Sequence, residues 1–217
     1  MHLALFDLDD TLIDHRAAFL AWAEEFAAAH DLGSEGVSRL LAAKAEYSGP
    51  KDRLFSRVRV EFDLAEPVDV LWRQYRRRIP ELAMCRPEDL EALEQLRGSG
   101  WRIGIVTNGM ADNQSAKIHR TGLAGLVDAW CISDEVGIRK PDPRIFRLAA
   151  QRCGMPADRT GWMVGDSLTH DVAGGRAAGL RTVWINPSQQ AVPPDHCGPE
   201  LTVAAVAEAV QHLLAGV

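Results

Sequence analysis

The stretch that most limits what this chain can become is its beginning. Leu3-Ala4-Leu5-Phe6 is apolar throughout, and Asp7-Leu8-Asp9-Asp10-Thr11 follows at once. Such a run is too short for a membrane span or for the core of a secretory signal. Because it does not alternate, it predicts a strand buried on both faces, as in a parallel sheet covered by helices. Clustered carboxylates at the end of a buried strand repel one another, and each resists removal from water. A divalent cation offsets both penalties.

Past this strand the pattern changes to helices. From 16 to about 30 the chain is rich in alanine, with Phe19, Trp22 and Phe26 on one helical stripe. Gly33 closes that helix, and Ser34 caps a second that runs to about Tyr47. Ser48-Gly49-Pro50 breaks the chain, and helical patterns resume over 52–62 and 67–79. From Arg86-Pro87-Glu88-Asp89 onward, strand and helix alternate. Proline and acids mark a helix start there, and Gly98-Ser99-Gly100 ends that helix. Strands are predicted at 102–106, 129–132, 161–164 and 181–185. Helices are predicted at 113–121, 143–152 and 169–178, with a last one starting near Thr202. This alternation implies an α/β fold, a Rossmann-like parallel sheet with helices on both faces. Residues 1–13 and 85–217 then form the core domain. Residues 14–84 form a small all-helical insert, a cap over the sheet.

Chemistry gathers at the carboxyl ends of the strands, where ligands bind in open parallel sheets. The first strand ends in Asp7 and Asp9, and the second in Thr107 and Asn108. The segment after the third leads to Arg139-Lys140-Pro141. The fourth ends in Asp166, with Asp171 five residues on. Each piece alone has a plain explanation: a turn, a helix cap, a solvated lysine. Their convergence on one crevice is the specific signal.

In order and spacing these pieces resemble the motifs of the haloacid dehalogenase-like (HAD) superfamily, in its phosphatase form. Asp7-Leu8-Asp9-Asp10-Thr11 is similar to the first motif, Thr107-Asn108-Gly109 to the second, Lys140 in Arg139-Lys140-Pro141-Asp142-Pro143 to the third, and Gly165-Asp166-Ser167 through Asp171 to the fourth. The helical insert sits where members with an α-helical cap carry theirs.

The resemblance implies a magnesium-dependent phosphatase acting on a small phosphomonoester. Asp7 is then the nucleophile that forms an aspartyl-phosphate. Asp9 is the general acid, and afterwards the base toward water. Lys140 places positive charge against Asp7 and the transferring group, and Thr107 and Asn108 bind its oxygens. Magnesium is held by the Asp7 and Asp166 carboxylates and the backbone carbonyl of Asp9, since it takes oxygen ligands and keeps several waters. Asp171 orients Lys140 or a metal-bound water, and Asp10 serves the fold. Asp9 is the discriminating residue. Haloacid dehalogenases resemble phosphatases elsewhere but lack this acid, because a departing halide needs no proton. A phosphomutase of the beta-phosphoglucomutase type shares the acid pair and stays open, and a binding protein without turnover is the reading from another class.

Composition narrows the partners. With 217 residues, 47% hydrophobic and 25% charged, the chain has the balance of a globular protein. A formal net charge of -6 argues against a general nucleic-acid binder. No apolar stretch is long enough to span a bilayer. Cys85, Cys131, Cys153 and Cys197 lack paired metal-ligand spacing and read as thiols in a reducing cytoplasm. The expected partner is a small phosphorylated molecule, with no nucleic acid and no membrane; monomer is the default, and a dimer stays open. In the insert, Arg53, Arg57, Arg59, Arg73, Arg76, Arg77 and Arg78 read as salt-bridged helix faces in preference to a substrate-binding lip. Trp22 and Trp72 read as core, and His15 as structural.

Overall fold

The structure is a computed structural model. It describes residues 2–46, 51–196 and 198–216. The predicted chain break at Ser48-Gly49-Pro50, the predicted helix end at Tyr47, and Cys197 lie outside the described residues. Two compact units emerge: Met1–Asp14 with Met84–Val217, and His15–Ala83.

The first unit is built on a six-stranded sheet in the order β3-β2-β1-β4-β5-β6. Its strands are β1 (Leu3–Phe6), β2 (Arg102–Thr107), β3 (Ala129–Ile132), β4 (Gly161–Gly165), β5 (Arg181–Ile185) and β6 (Leu201–Val203). Every neighbouring pair is parallel. All four residues of β1 are fully buried, as a non-alternating central strand must be. The chain leaves β1 for β2 and β3 on one side, then crosses back to β4 on the other. The reversal puts a crevice at the carboxyl end of β1. Register fixes what lines it. Phe6 pairs with Ile105 on one side and Val164 on the other, so Asp7, Thr107 and Asp166 emerge within two residues of the same level.

Helices α5 (Pro87–Gly98), α6 (Ala111–Arg120), α8 (Pro143–Arg152), α9 (Gly174–Ala178) and α10 (Val206–Ala215) accompany the strands, and a short α7 (Ser133–Val136) follows β3. Helix α8 lays Ile145, Phe146, Ala149 and Ala150 into a core with Leu3, Leu5, Val106 and Met163. That packing anchors the segment just before it, which carries Lys140.

Two sequence readings are corrected. The last helix begins at Val206, and Leu201-Thr202-Val203 before it is a strand. The β-branched Thr202 and Val203 suit an extended edge strand, and Val203 is buried from β6 while Val206, Val210 and Leu213 are buried from α10. The predicted helix over 169–178 is two pieces. Leu168–Ala173 is a π-helical turn, and only Gly174–Ala178 is α-helical. In addition, helix α4 (Val68–Leu82) continues through Pro80, although proline usually ends a helix. Pro80 lies in the last turn, so the one hydrogen bond its missing N–H removes falls at the very end of the helix.

The second unit comprises α1 (His15–Ala29), α2 (Gly33–Glu46), α3 (Lys51–Glu61) and α4 (Val68–Leu82). Phe19, Trp22, Phe26, Leu40, Phe55, Leu71, Tyr75 and Ile79 form its core. Trp22 meets Tyr75 edge-on at 5.0 Å, and Trp72 stacks on Tyr75 at 5.6 Å, so both tryptophans serve packing. Arg73 pairs with Asp69, Arg57 with Glu46, and Arg78 with Glu25 and Glu81. These arginines have the salt-bridged environment expected of an exposed helix face. No helix among the described residues is long and apolar enough to cross a membrane.

Because Phe146 is fully buried, Phe146→Ala should lower stability by about 3–5 kcal/mol. Urea unfolding checks this, and a loss below about 1 kcal/mol would contradict the packing described.

Candidate active site

Asp7 extends β1 by one residue, and its N–H donates to the Val164 carbonyl of β4 at 2.9 Å. This ladder bond fixes the backbone and sends the carboxylate into the crevice. Lys140 ion-pairs there with Asp7 Oδ1, and its Nζ donates to Asp171 Oδ1 at 2.7 Å. The three side chains are almost wholly out of solvent, at 9% exposure for Asp7, 3% for Lys140 and 1% for Asp171.

Each member is held from outside. The Asn108 amide clamps the Lys140 backbone at two points: Asn108 Nδ2 donates to the Lys140 carbonyl at 3.0 Å, and Lys140 N–H donates to Asn108 Oδ1 at 2.9 Å. Asp171 Oδ2 accepts from the Ser167 backbone N–H at 3.0 Å. A Cβ on Gly165 would overlap the Asp171 carboxylate, so only glycine fits at that point. The π-helical turn carries Asp171, a common use of such turns at functional sites. The Asp166 carbonyl accepts from Trp184 Nε1 of β5 at 2.8 Å.

Oxygens of Asp7, Asp166 and Asp171 lie within 4.8 Å of one another. One lysine cannot balance three carboxylates. Burial pushes the Asp7 carboxyl well above its usual range, Lys140 opposes this, and Asp171 and Asp166 add to it. Asp166 is pushed up to about 6, first by burial and then by Asp171 and Asp10. For Lys140, burial works against the charge, but Asp171 and Asp7 outweigh it and hold the ammonium above its ordinary value. The surplus negative charge and the all-oxygen donor set fit a divalent cation such as magnesium. Both Asp171 oxygens already have hydrogen-bond partners, Lys140 Nζ on Oδ1 and the Ser167 N–H on Oδ2.

Thr107, at the end of β2, is buried, and its Oγ1 accepts from Gln114 Nε2 at 2.6 Å. An accepting hydroxyl keeps its own hydrogen to give elsewhere. The Asp9 carboxylate lies apart from the acidic cluster. Lys117 Nζ reaches both its oxygens, at 2.7 and 2.9 Å, and Gln114 Nε2 donates to Oδ2 at 3.2 Å. Asp10 has left-handed backbone (φ 62) and donates its N–H to the Ile13 carbonyl, which suits a turn residue that serves the fold.

Sequence reasoning missed Gln114, Lys117 and Trp184. A signal for the first two exists. Ile118 is a branched apolar residue on α6, so it sets the inward face, and Gln114 lies one helical turn before it, with Lys117 beside it. All three are buried.

The family description for haloacid dehalogenase-like hydrolases matches residues 1–179. Phosphoserine phosphatase of Thermus thermophilus is 34% identical over 88% of this chain and 78% of its own. Pyrimidine 5′-nucleotidase YjjG of Escherichia coli is 37% identical over 61% of this chain and 58% of its own. Among solved structures, the HAD-hydrolase YfnB of Bacillus subtilis, crystallised with magnesium, superposes with a TM-score of 0.76 at 25% identity, covering 98% of each chain. The chain therefore belongs to the haloacid dehalogenase-like hydrolases, and it is a hydrolase of that family.

Proposed function

We propose that this hydrolase is a magnesium-dependent phosphatase that cleaves a small phosphomonoester through an aspartyl-phosphate on Asp7. The observation that carries the reading is the buried Asp7–Lys140–Asp171 group at the strand-order reversal, with Asp166 beside it. The relatives that act on phosphoserine and on pyrimidine nucleotides support phosphate as the group transferred.

In this reading the Asp7 carboxylate attacks phosphorus and the bond from phosphorus to the ester oxygen breaks. Asp9 gives its proton to that departing oxygen. Water then attacks phosphorus, the bond to Asp7 breaks, inorganic phosphate leaves, and Asp9 takes the proton from water. Lys140 neutralises charge at Asp7 and on the phosphoryl oxygens, and the Thr107 hydroxyl donates to one of them. Asn108 positions Lys140 through its backbone clamp, and its own N–H can face the phosphoryl group. Asp171 holds Lys140 in line. Magnesium, held by Asp7, Asp166 and the Asp9 carbonyl, supplies charge stabilisation for an anionic nucleophile meeting an anionic substrate. Asp9 argues for phosphate over halide, since a halide would leave without a proton. Scattered cysteines, with Cys131 and Cys153 buried, favour the cytoplasm as its compartment.

Hydrolysis of 4-nitrophenyl phosphate, phosphoserine and pyrimidine nucleoside 5′-monophosphates tests the reading. Turnover should require magnesium and release phosphate stoichiometrically, and Asp7→Asn should lower it at least about 10³-fold, within the range seen on removing a nucleophile. Retained activity in that variant would sink the proposal, and an isomerised phosphoester with no phosphate released would point to a mutase.

The acid cluster adds a pH signature. Asp7 and Asp166 bind protons more tightly folded than unfolded; the cost of Asp166 to stability is full above about pH 6 and fades as pH falls through it, and Asp7 acts in the same direction. A cation competes with those protons. Magnesium at a hundredfold excess over its Kd should stabilise by about 2.7 kcal/mol at pH 7.5, or about 5–10 °C for a protein of this size. At pH 5 the gain should be much smaller. Melting curves at both pH values decide this, and an equal or larger gain at pH 5 would contradict it.

A further inference from the structure

Lys117 and Gln114 sit on α6, away from the acidic cluster, and their arrangement is unusually complete. Lys117 is 2% exposed, and Nζ bonds both Asp9 oxygens and Gln114 Oε1 at 2.8 Å. The Gln114 amide donates to Asp9 Oδ2 and to Thr107 Oγ1. The acceptor end of that amide faces an ammonium and its donor end faces two oxygens, so the network itself fixes its orientation. Gly109 makes the approach possible: a Cβ there would lie 2.8 Å from Gln114 Cγ. The N-terminus of α6 is tied down as well, because Ala111 N–H donates to Asp134 Oδ2 at 3.0 Å.

A buried lysine is an expensive way to fill space. Burying an ion pair costs desolvation that a packed apolar side chain of the same volume avoids, and such replacements are often neutral or stabilising. Helix α6 could close this part of the core with methionine at 117. What methionine could not do is grip both oxygens of a carboxylate. Asp9 follows Asp7 by two residues, and its side chain is 28% exposed, so it is the less enclosed partner and the one that such a grip holds in place.

We infer that Lys117 is a positioning residue for Asp9, and that Gln114 links this carboxylate to the Thr107 hydroxyl, so that one helix sets both the proton carrier and a phosphoryl donor. The inference rests on the acid–base reading of Asp9 above. Lys117 acts through Asp9, by fixing where that carboxylate stands when a proton must move to the departing oxygen or from water.

The test uses the full chain and a series of aryl phosphates whose leaving groups run from 2,4-dinitrophenolate to phenolate. A dinitrophenolate leaves without a proton and a phenolate needs one. Lys117→Met should fold, melt within a few degrees of wild type and keep its KM. Its kcat should fall about ten- to a hundredfold on phenyl phosphate, a part of the 10²–10⁴-fold range of general acid–base catalysis. The first-turnover burst from 2,4-dinitrophenyl phosphate should remain close to wild type. In the Asp9→Asn background the same change should add little further loss, since both act through one carboxylate. Gln114→Met, which cuts the Asp9 and Thr107 contacts together, should give the same leaving-group dependence with KM raised too; it carries the test if Lys117→Met does not fold.

A uniform loss of first-turnover rate across all leaving groups, a loss that multiplies fully with that of Asp9→Asn, or wild-type kinetics in Lys117→Met would each overturn the inference. Failure of the underlying reading looks different. There Asp9→Asn itself would show no altered leaving-group dependence, and the inference would fall with it.

Discussion

The ion pairing of Lys140 with Asp7 and Asp171 is the constraint around which the sheet unit is arranged. Burying these charges costs several kcal/mol per ion before their mutual attraction offsets it. Apolar residues at the same places would hold the sheet at least as well. Stability comes from elsewhere: from Leu3, Leu5 and Phe146 beneath the sheet, and from the aromatic core of the helical unit. The charged group has to be built and held against its own desolvation, and several features of the fold do that holding. The Asn108 clamp fixes Lys140, the π-helical turn carries Asp171, and Gly165 makes room for its carboxylate.

Topology explains how so few residues suffice. Strand β1 stands between β2 and β4, and the chain reverses its direction of travel across the sheet there. Residues far apart in the chain come level because parallel register aligns Phe6 with Ile105 and Val164. Nothing else in the chain must be special for Asp7, Thr107 and Asp166 to share one edge. The acids then meet with one lysine among them, and the resulting surplus of negative charge is what a divalent cation would relieve.

Much of this was legible in the sequence, for a reason that particular residues make plain. Leu3-Ala4-Leu5-Phe6 is too uniform for anything but a strand covered on both faces, and polar residues at the ends of such strands stand out. What escaped was hidden by local ambiguity. Leu201-Thr202-Val203 is three residues long, and its valine falls in phase with the helix that follows, so the strand merged into the helical stripe. The π-helical turn differs from an α-helix by one residue per turn, which six residues cannot reveal. Gln114 and Lys117 stand among Asp112, Asn113, His119 and Arg120, a run that reads as solvated. Their burial follows from the phase set by Ile118 alone, and their purpose only from seeing Asp9 opposite.

The most direct test of the central claim is to stop turnover in acid and map the labelled peptide by mass spectrometry. If Asp7 is the nucleophile, one phosphoryl group will be found on the amino-terminal peptide, at Asp7, during steady-state hydrolysis and will vanish when substrate is spent. A phosphoryl group on another residue, or hydrolysis with no phosphorylated peptide under conditions where Asp9→Asn also accumulates none, would contradict the account.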